Sequence, residues 1–154
     1  MTGRVRLRRM RWWDVEPALA LERQLFPGDP WSAELFWSEL AGWPATRHYL
    51  VAVRGDELVG YAGLSAPAGD ADVQTLAVAP AAQGTGIGRA LLTALLDEAA
   101  RRRAPAVLLE ARVDNERAIG LYESVGFERI AVRRGYYDAG RVDAAVLRRL
   151  TPDS

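Results

Sequence analysis

Val5-Arg6-Leu7-Arg8 alternates apolar with charged side chains, the period of a strand with one face in water. From Asp14 the period lengthens: Ala18, Leu21 and Leu25 recur at helical spacing, which predicts a helix capped by Asp14 and running to about Leu25. Phe26-Pro27-Gly28-Asp29-Pro30 breaks it, and Ser32 is placed to cap a second helix to about Leu40. Two strands follow, His48 to Arg54 and Glu57 to Leu64, joined at the tight turn Gly55-Asp56.

The centre differs. A strand from about Asp72 to Val78 meets Pro80 and the glycine-rich run Gln83-Gly84-Thr85-Gly86-Ile87-Gly88-Arg89. Leu91, Leu92, Leu95, Leu96 and Ala99 then mark a long helix that ends near Arg101-Arg102-Arg103, where cations suit the negative end of its dipole. Pro105 opens a strand, Ala106 to Arg112, whose Val107-Leu108-Leu109 run suits burial on both faces. Strand, helix and strand of these lengths imply a parallel pair with a right-handed crossover. Asp114 is predicted to cap a short helix, Asn115 to Val125, which Gly126 stops. Phe127 to Arg133 and Val142 to Leu147 read as closing strands around Gly135-Tyr136-Tyr137-Asp138-Ala139-Gly140. With no repeat or linker in the pattern, residues 1–154 are expected to form one domain, a mixed α/β layer structure.

Composition narrows the chemistry. Zero cysteines exclude disulfides, thiolate metal sites and an acyl-cysteine intermediate, and one histidine, His48, excludes a multi-histidine metal site. All 20 basic residues are arginine, so there is neither a Schiff-base lysine nor a P-loop lysine. Net charge is zero, which gives no overall pull toward nucleic acid or anionic membrane. No apolar run approaches the roughly 20 residues of a membrane span. The basic start, Arg4 to Arg11, runs into Trp12-Trp13-Asp14-Val15-Glu16-Pro17 rather than an apolar stretch, so a cytoplasmic protein is expected. Trp12, Trp13, Trp37 and Trp43 are expected in the core or between helices.

Three places carry candidate chemistry. Gly84, Gly86 and Gly88 at a helix mouth let successive backbone N–H groups face one point, a geometry that receives a phosphate; a flexible turn is the plainer reading. The run lacks the Gly-Lys-Ser/Thr of a Walker loop and has Arg89 where a dinucleotide fingerprint needs glycine. Glu110 ends an apolar strand of a parallel pair, where ligands collect, and would there accept a proton; an ion pair with Arg112 or Arg89 is the alternative. Asn115 and Tyr122 are seven residues apart, so they share a helix face at roughly 10 Å spacing. One ligand could touch both, or they could be a helix cap and a core tyrosine.

Leu76-Ala77-Val78-Ala79-Pro80, the run Gln83 to Leu92, and Asn115-Glu116-Arg117-Ala118-Ile119-Gly120-Leu121-Tyr122-Glu123-Ser124-Val125-Gly126-Phe127 together resemble the Gcn5-related N-acetyltransferase superfamily. Gln83, Gly86 and Gly88 match its Gln/Arg-x-x-Gly-x-Gly loop, and the likeness covers essentially the whole chain. Within it the chain is most similar to the RimI-type ribosomal-protein alanine N-acetyltransferases. That likeness rests on Pro30-Trp31-Ser32, on Leu109-Glu110-Ala111-Arg112 followed by Asn115, and on Tyr136-Tyr137 ahead of a strand entered through Asp143-Ala144. Gly28-Asp29 before Pro30, and Val146-Leu147-Arg148-Arg149-Leu150 where relatives often carry methionine, depart from the pattern and bear on acceptor choice.

The resemblance implies the acyl-CoA N-acyltransferase fold, a mostly antiparallel sheet with one splayed parallel strand pair, flanked by helices. It implies acetyl-CoA as donor, its pyrophosphate on the backbone of Gly84, Thr85, Gly86, Ile87, Gly88 and Arg89, and no metal. The pantetheine arm would lie along Leu76, Ala77 and Val78, held by Asn115. Glu110 would take the amine proton and Tyr122 would protonate the departing thiolate, with direct transfer because no cysteine is available. Trp31, Tyr136 and Tyr137 are candidates for an acceptor channel. An α-amine with a pKa near 8 is about one-tenth neutral at pH 7, against about one in 2,500 for lysine, which favours an N-terminal peptide acceptor. The leading expectation is acetylation of the N-terminal alanine of a small-subunit ribosomal protein by a monomer or weak homodimer, with no nucleic-acid or membrane partner. Small-molecule amines, other protein N-termini or lysines are alternative acceptors, and a non-catalytic coenzyme-A sensor or partner subunit is the alternative from another class.

Overall fold

The computed structural model describes residues 4–28 and 30–152; Asp29, in the predicted helix break, lies outside them. Seven strands, β1 (Val5–Arg9), β2 (Arg47–Arg54), β3 (Glu57–Ser65), β4 (Ala71–Val78), β5 (Ala106–Arg112), β6 (Glu128–Tyr137) and β7 (Val142–Leu150), form one sheet. Their order is β1-β2-β3-β4-β5-β7-β6. Every neighbouring pair is antiparallel except β4 and β5, which the crossover helix makes parallel. The helices are α1 (Val15–Leu25), α2 (Ala33–Leu40), α3 (Ile87–Arg101) and α4 (Glu116–Ser124).

The two-residue period of β2 separates two cores. Leu50 and Ala52 face the layer of α3, with Leu91, Leu92, Leu95 and Ala99. Tyr49, Val51 and Val53 face the other side, with Val15, Ala18, Leu19 and Phe36 of α1 and α2. Gly63 is required on this second face, because a Cβ there would stand 2.2 Å from the ring of Tyr49.

The parallel pair is short. Only Ala71↔Val107 and Asp72↔Leu108 are in register, after which β4 and β5 diverge. A bulge between the pairs Gly63↔Thr75 and Leu64↔Val73 leaves Gln74 as the extra residue at this point, and such an insertion bends a strand. The edges of β4 and β5 that face the gap therefore carry main-chain groups without cross-strand partners beyond Asp72 and Leu108.

Several local expectations are corrected. Asp14 occupies the α1 cap position without a side-chain bond into that helix; its carboxylate takes Arg8 at 2.8 Å on both oxygens and the Arg11 N–H at 2.7 Å. Asn115, not Asp114, caps α4, accepting from the Ala118 N–H at 3.1 Å, because Arg112 holds the Asp114 carboxylate by two bonds of 2.9 Å. Trp12, Trp13 and Trp37 are exposed, at 74%, 55% and 57%, and only Trp43 among those four is partly buried, stacked on His48. For Trp37 the reason is local: Phe36 takes the core-facing position, and the next residue lies about 100° round the helix. The sixth strand runs on to Tyr137, leaving a short 3-10 turn, Asp138–Gly140, as the connection.

Candidate functional site

Two cavities lie along the divergence of β4 and β5. The larger, about 440 Å³, is lined by Leu76, Ala77 and Val78 of β4, by the loop residues Gln83, Gly84, Gly86 and Gly88 with Arg89, by Leu25 and Phe26 at the end of α1, and by Asn115, Arg117, Ala118, Leu121 and Tyr122. The smaller, about 220 Å³, is lined by Asp72, Val73 and Gln74, by Leu108, Leu109 and Glu110, and by Tyr136, Tyr137 and Val146.

The loop at the mouth of α3 turns on left-handed glycines, φ 78° at Gly84 and 89° at Gly86. Gly86 is the cap residue and has no side chain to give the first-turn amides of α3, so those donors remain for a ligand at the positive end of the helix. Gly88 sits beside Leu121 and Val78, which a Cβ there would meet in ordinary contact at 3.4 Å and 3.6 Å. Gln83 fixes the loop to β4 by donating to the Val78 carbonyl at 3.1 Å, and Thr85 ties the turn by donating to the Ala82 carbonyl at 2.5 Å. This cradle, uncapped and opening on an apolar slot, fits a diphosphate bearing a long flexible arm.

Of the residues singled out for the donor, Leu76, Ala77, Val78, Gly84, Gly86, Gly88, Arg89 and Asn115 line this cavity. Thr85 and Ile87 do not: Thr85 is spent on the turn and Ile87 is buried in the core, so each has only its backbone to offer. Arg89 is steadied by donating to the Ser124 hydroxyl at 2.8 Å. Asn115 spends its carbonyl oxygen on the α4 cap, which leaves its NH₂ to donate. Arg117 was not foreseen. It donates to Gln83 at 3.2 Å and brings a cation beside Gly84, where an anion would sit; its signal in the sequence is a charge two residues after Asn115 on the first turn of the same helix.

Tyr122 and Glu110 fall in different cavities, Tyr122 in the larger and Glu110 in the smaller. Tyr122 is only 8% exposed, and burial first, then the neighbouring Tyr137, pushes its hydroxyl up to about 12. Tyr137 is pushed up to about 12 as well, by burial, then by the Glu110 charge and by Tyr136. Burial raises Asp72 too, with Asp70 and Glu110 adding to it. The charge of Glu110 thus acts on Tyr137 and Asp72, which line the same cavity. The ion pair of Glu110 is made by Arg133 of β6 at 2.7 Å, rather than by either expected arginine.

Tyr136 and Tyr137 line the smaller cavity beside Glu110, stacked edge to face at 4.8 Å. Trp31 lines neither cavity. Its ring packs on Phe36 at 4.9 Å and Tyr49 at 6.4 Å, and its backbone N–H donates to Glu22 at 3.3 Å. Glu22, 2% exposed, also accepts from the Tyr61 hydroxyl, and so moors the end of α1 and the following loop to β3. Among the described residues no cluster of three or more His, Asp or Glu is placed to hold a metal.

Residues 7–127 match the acetyltransferase (GNAT) family. The chain is similar to N-alpha-acetyltransferase RimI of Mycobacterium tuberculosis, 46% identical over 145 residues that cover 91% of this chain and 89% of that protein. It is similar to the ribosomal protein bS18-alanine N-acetyltransferase of Escherichia coli, 35% identical over 122 residues covering 77% and 79% of the two chains. The crystal structure of the Escherichia coli ribosomal-protein-S18-alanine N-acetyltransferase superposes with a TM-score of 0.86 at 29% identity, covering 98% of this chain and 96% of that one.

Proposed function

This chain belongs to the acetyltransferase (GNAT) family and is an acetyl-CoA-dependent N-acetyltransferase, and from that premise we propose that it acetylates the N-terminal amine of a protein chain, alanine at the tip of a small-subunit ribosomal protein. The observation that carries the reading is the pair of cavities, one lined by Tyr122 with a diphosphate cradle and an apolar slot, the other with a carboxylate and two tyrosines. The names of the relatives from Mycobacterium tuberculosis and Escherichia coli support the acceptor class.

In this reading the amides at the start of α3, with Arg89 and Arg117 beside them, hold the diphosphate, and Leu76, Ala77 and Val78 line the arm's path. Acetyl-CoA supplies an activated acetyl group as a thioester. The acceptor attacks as its neutral amine: the new N–C bond forms as the C–S bond breaks, Glu110 takes the one proton that nitrogen then gives up, and Tyr122 gives its proton to the departing sulfur. The buried hydroxyl of Tyr122 keeps that proton until sulfur needs it, because burial favours the neutral phenol. The site resets when Glu110 releases its proton to solvent and Tyr122 regains one from it.

The test is a panel of acceptors incubated with labelled acetyl-CoA: an alanine-starting peptide of a small-subunit ribosomal protein, the same peptide with a blocked N-terminus and an internal lysine, and spermidine. Label is expected on the α-amine of the first alone. Labelling of spermidine or of the blocked peptide at equal or greater rate would replace this acceptor with another.

A further inference from the structure

The carboxylate of Glu110 is not held symmetrically. Its Oε1 accepts from Arg133 Nη1 at 2.7 Å, while Oε2 is buried and has no hydrogen-bond partner among the described residues. Arg133 reaches Glu110 from two strands away. Glu110 is opposite Val146 and Arg133 is opposite Ala144, so the guanidinium must cross β7 diagonally on the face that the methyl group of Ala144 leaves low. Arg133 is itself placed by a ring: its guanidinium lies 4.1 Å from the centre of Tyr136, which lines the same cavity as Glu110. A bulged stretch of β6 between Arg133 and Tyr137 sets Tyr136 in that position.

Arg133 holds Oε1 and so fixes the side-chain torsions of a carboxylate that lines the smaller cavity. From this geometry we infer that Arg133 is the positioning residue of the transfer reaction: it clamps Glu110 through Oε1 and so holds the carboxylate where it takes the proton that the acceptor's amine gives up. Arg133 touches neither substrate; it acts through Glu110. The inference rests on the reading of Glu110 as the proton acceptor, and the test below separates the two.

Steady-state kinetics with an alanine-starting peptide are measured for the wild type, Arg133→Ala, Arg133→Lys, Glu110→Gln and the double variant Glu110→Gln/Arg133→Ala, with coenzyme A affinity by calorimetry as a check that each variant is folded. Loss of the clamp is expected to lower kcat about 10- to 100-fold, the scale of a misplaced reacting group, with coenzyme A affinity unchanged within about twofold. Arg133→Lys, which keeps the charge without the fork, should recover part of the loss. In the Glu110→Gln background, Arg133→Ala should add nothing further, since a clamp without its carboxylate has no work left. Wild-type kcat in Arg133→Ala, additive losses in the double variant, or no recovery with lysine would each overturn the positioning role. Wild-type activity in Glu110→Gln would overturn both this role and the assignment of Glu110 itself, whereas a dead Glu110→Gln beside a normal Arg133→Ala would overturn the clamp alone.

Discussion

In the proposed mechanism Glu110 and Tyr122 divide the proton traffic between two environments. Tyr122 is buried, which favours its neutral phenol; Glu110 lines a polar cavity. Replacing either without changing its shape, Glu110→Gln or Tyr122→Phe, should reduce kcat by about 10²- to 10⁴-fold while the Kd for coenzyme A moves little, read by steady-state kinetics beside calorimetry. The raised phenols also set a stability window. Tyr122 and Tyr137 bind their protons more tightly folded, at about 12, than an unfolded tyrosine near 10. Their contribution is therefore complete below about pH 10 and is lost as pH rises through about 12. Chemical denaturation at a series of alkaline pH values should show stability falling across that window, more steeply than in Tyr122→Phe. At this scale the sequence was informative where the signal was local. The Gly84-Thr85-Gly86-Ile87-Gly88 run and the seven-residue spacing of Asn115 and Tyr122 carry their geometry with them. The clamp on Glu110 was not legible, because Arg133 is 23 residues away along the chain and meets it only after two strand pairings are made. Asp114 and Asn115 illustrate a second limit: both are good caps, and only the capture of Asp114 by Arg112 decides between them.

The elements that place the site are the loop into α3 and the split between β4 and β5. Gly86 stands at φ 89° with open space around it, so a side chain there would collide with nothing but would force the left-handed backbone, at a cost of about 1–2 kcal/mol. Gly86→Val is expected to weaken coenzyme A binding by about tenfold in calorimetry, the equivalent of about 1.4 kcal/mol, while the acceptor KM is less affected. Unchanged affinity would mean that the turn does not aim the helix amides. Most elements were legible from hydrophobic period alone: β2 and β3 with their Gly55-Asp56 turn, α3 with its leucine face, and the β4-α3-β5 crossover all form within a residue or two of their predicted bounds. The bend in β4 was hidden, since the extra residue at Gln74 has no marker in the sequence. Glu22 was hidden for the opposite reason. It lies four residues after Ala18 on the buried face of α1, where a charge contradicts the apolar pattern until the Tyr61 hydroxyl and the Trp31 backbone N–H are seen to donate to it.

Across the whole molecule, two cores pack against opposite faces of one twisted sheet, and the site sits where that sheet stops being continuous. Helix α3 and α4 supply the cradle and Tyr122 from one layer; β5, β7 and β6 supply Glu110, its clamp and the paired tyrosines from the open half. The gap is functional only if a ligand completes the hydrogen bonding that β4 and β5 leave unmade. Hydrogen–deuterium exchange with and without coenzyme A tests this most directly. Binding should slow exchange at the amides of residues 75–78 and 84–89 and leave residues 71–72, which already pair with β5, unchanged. Coenzyme A that binds while residues 75–78 exchange as fast as in the free protein would contradict the account, because the donor would then lie somewhere other than the gap.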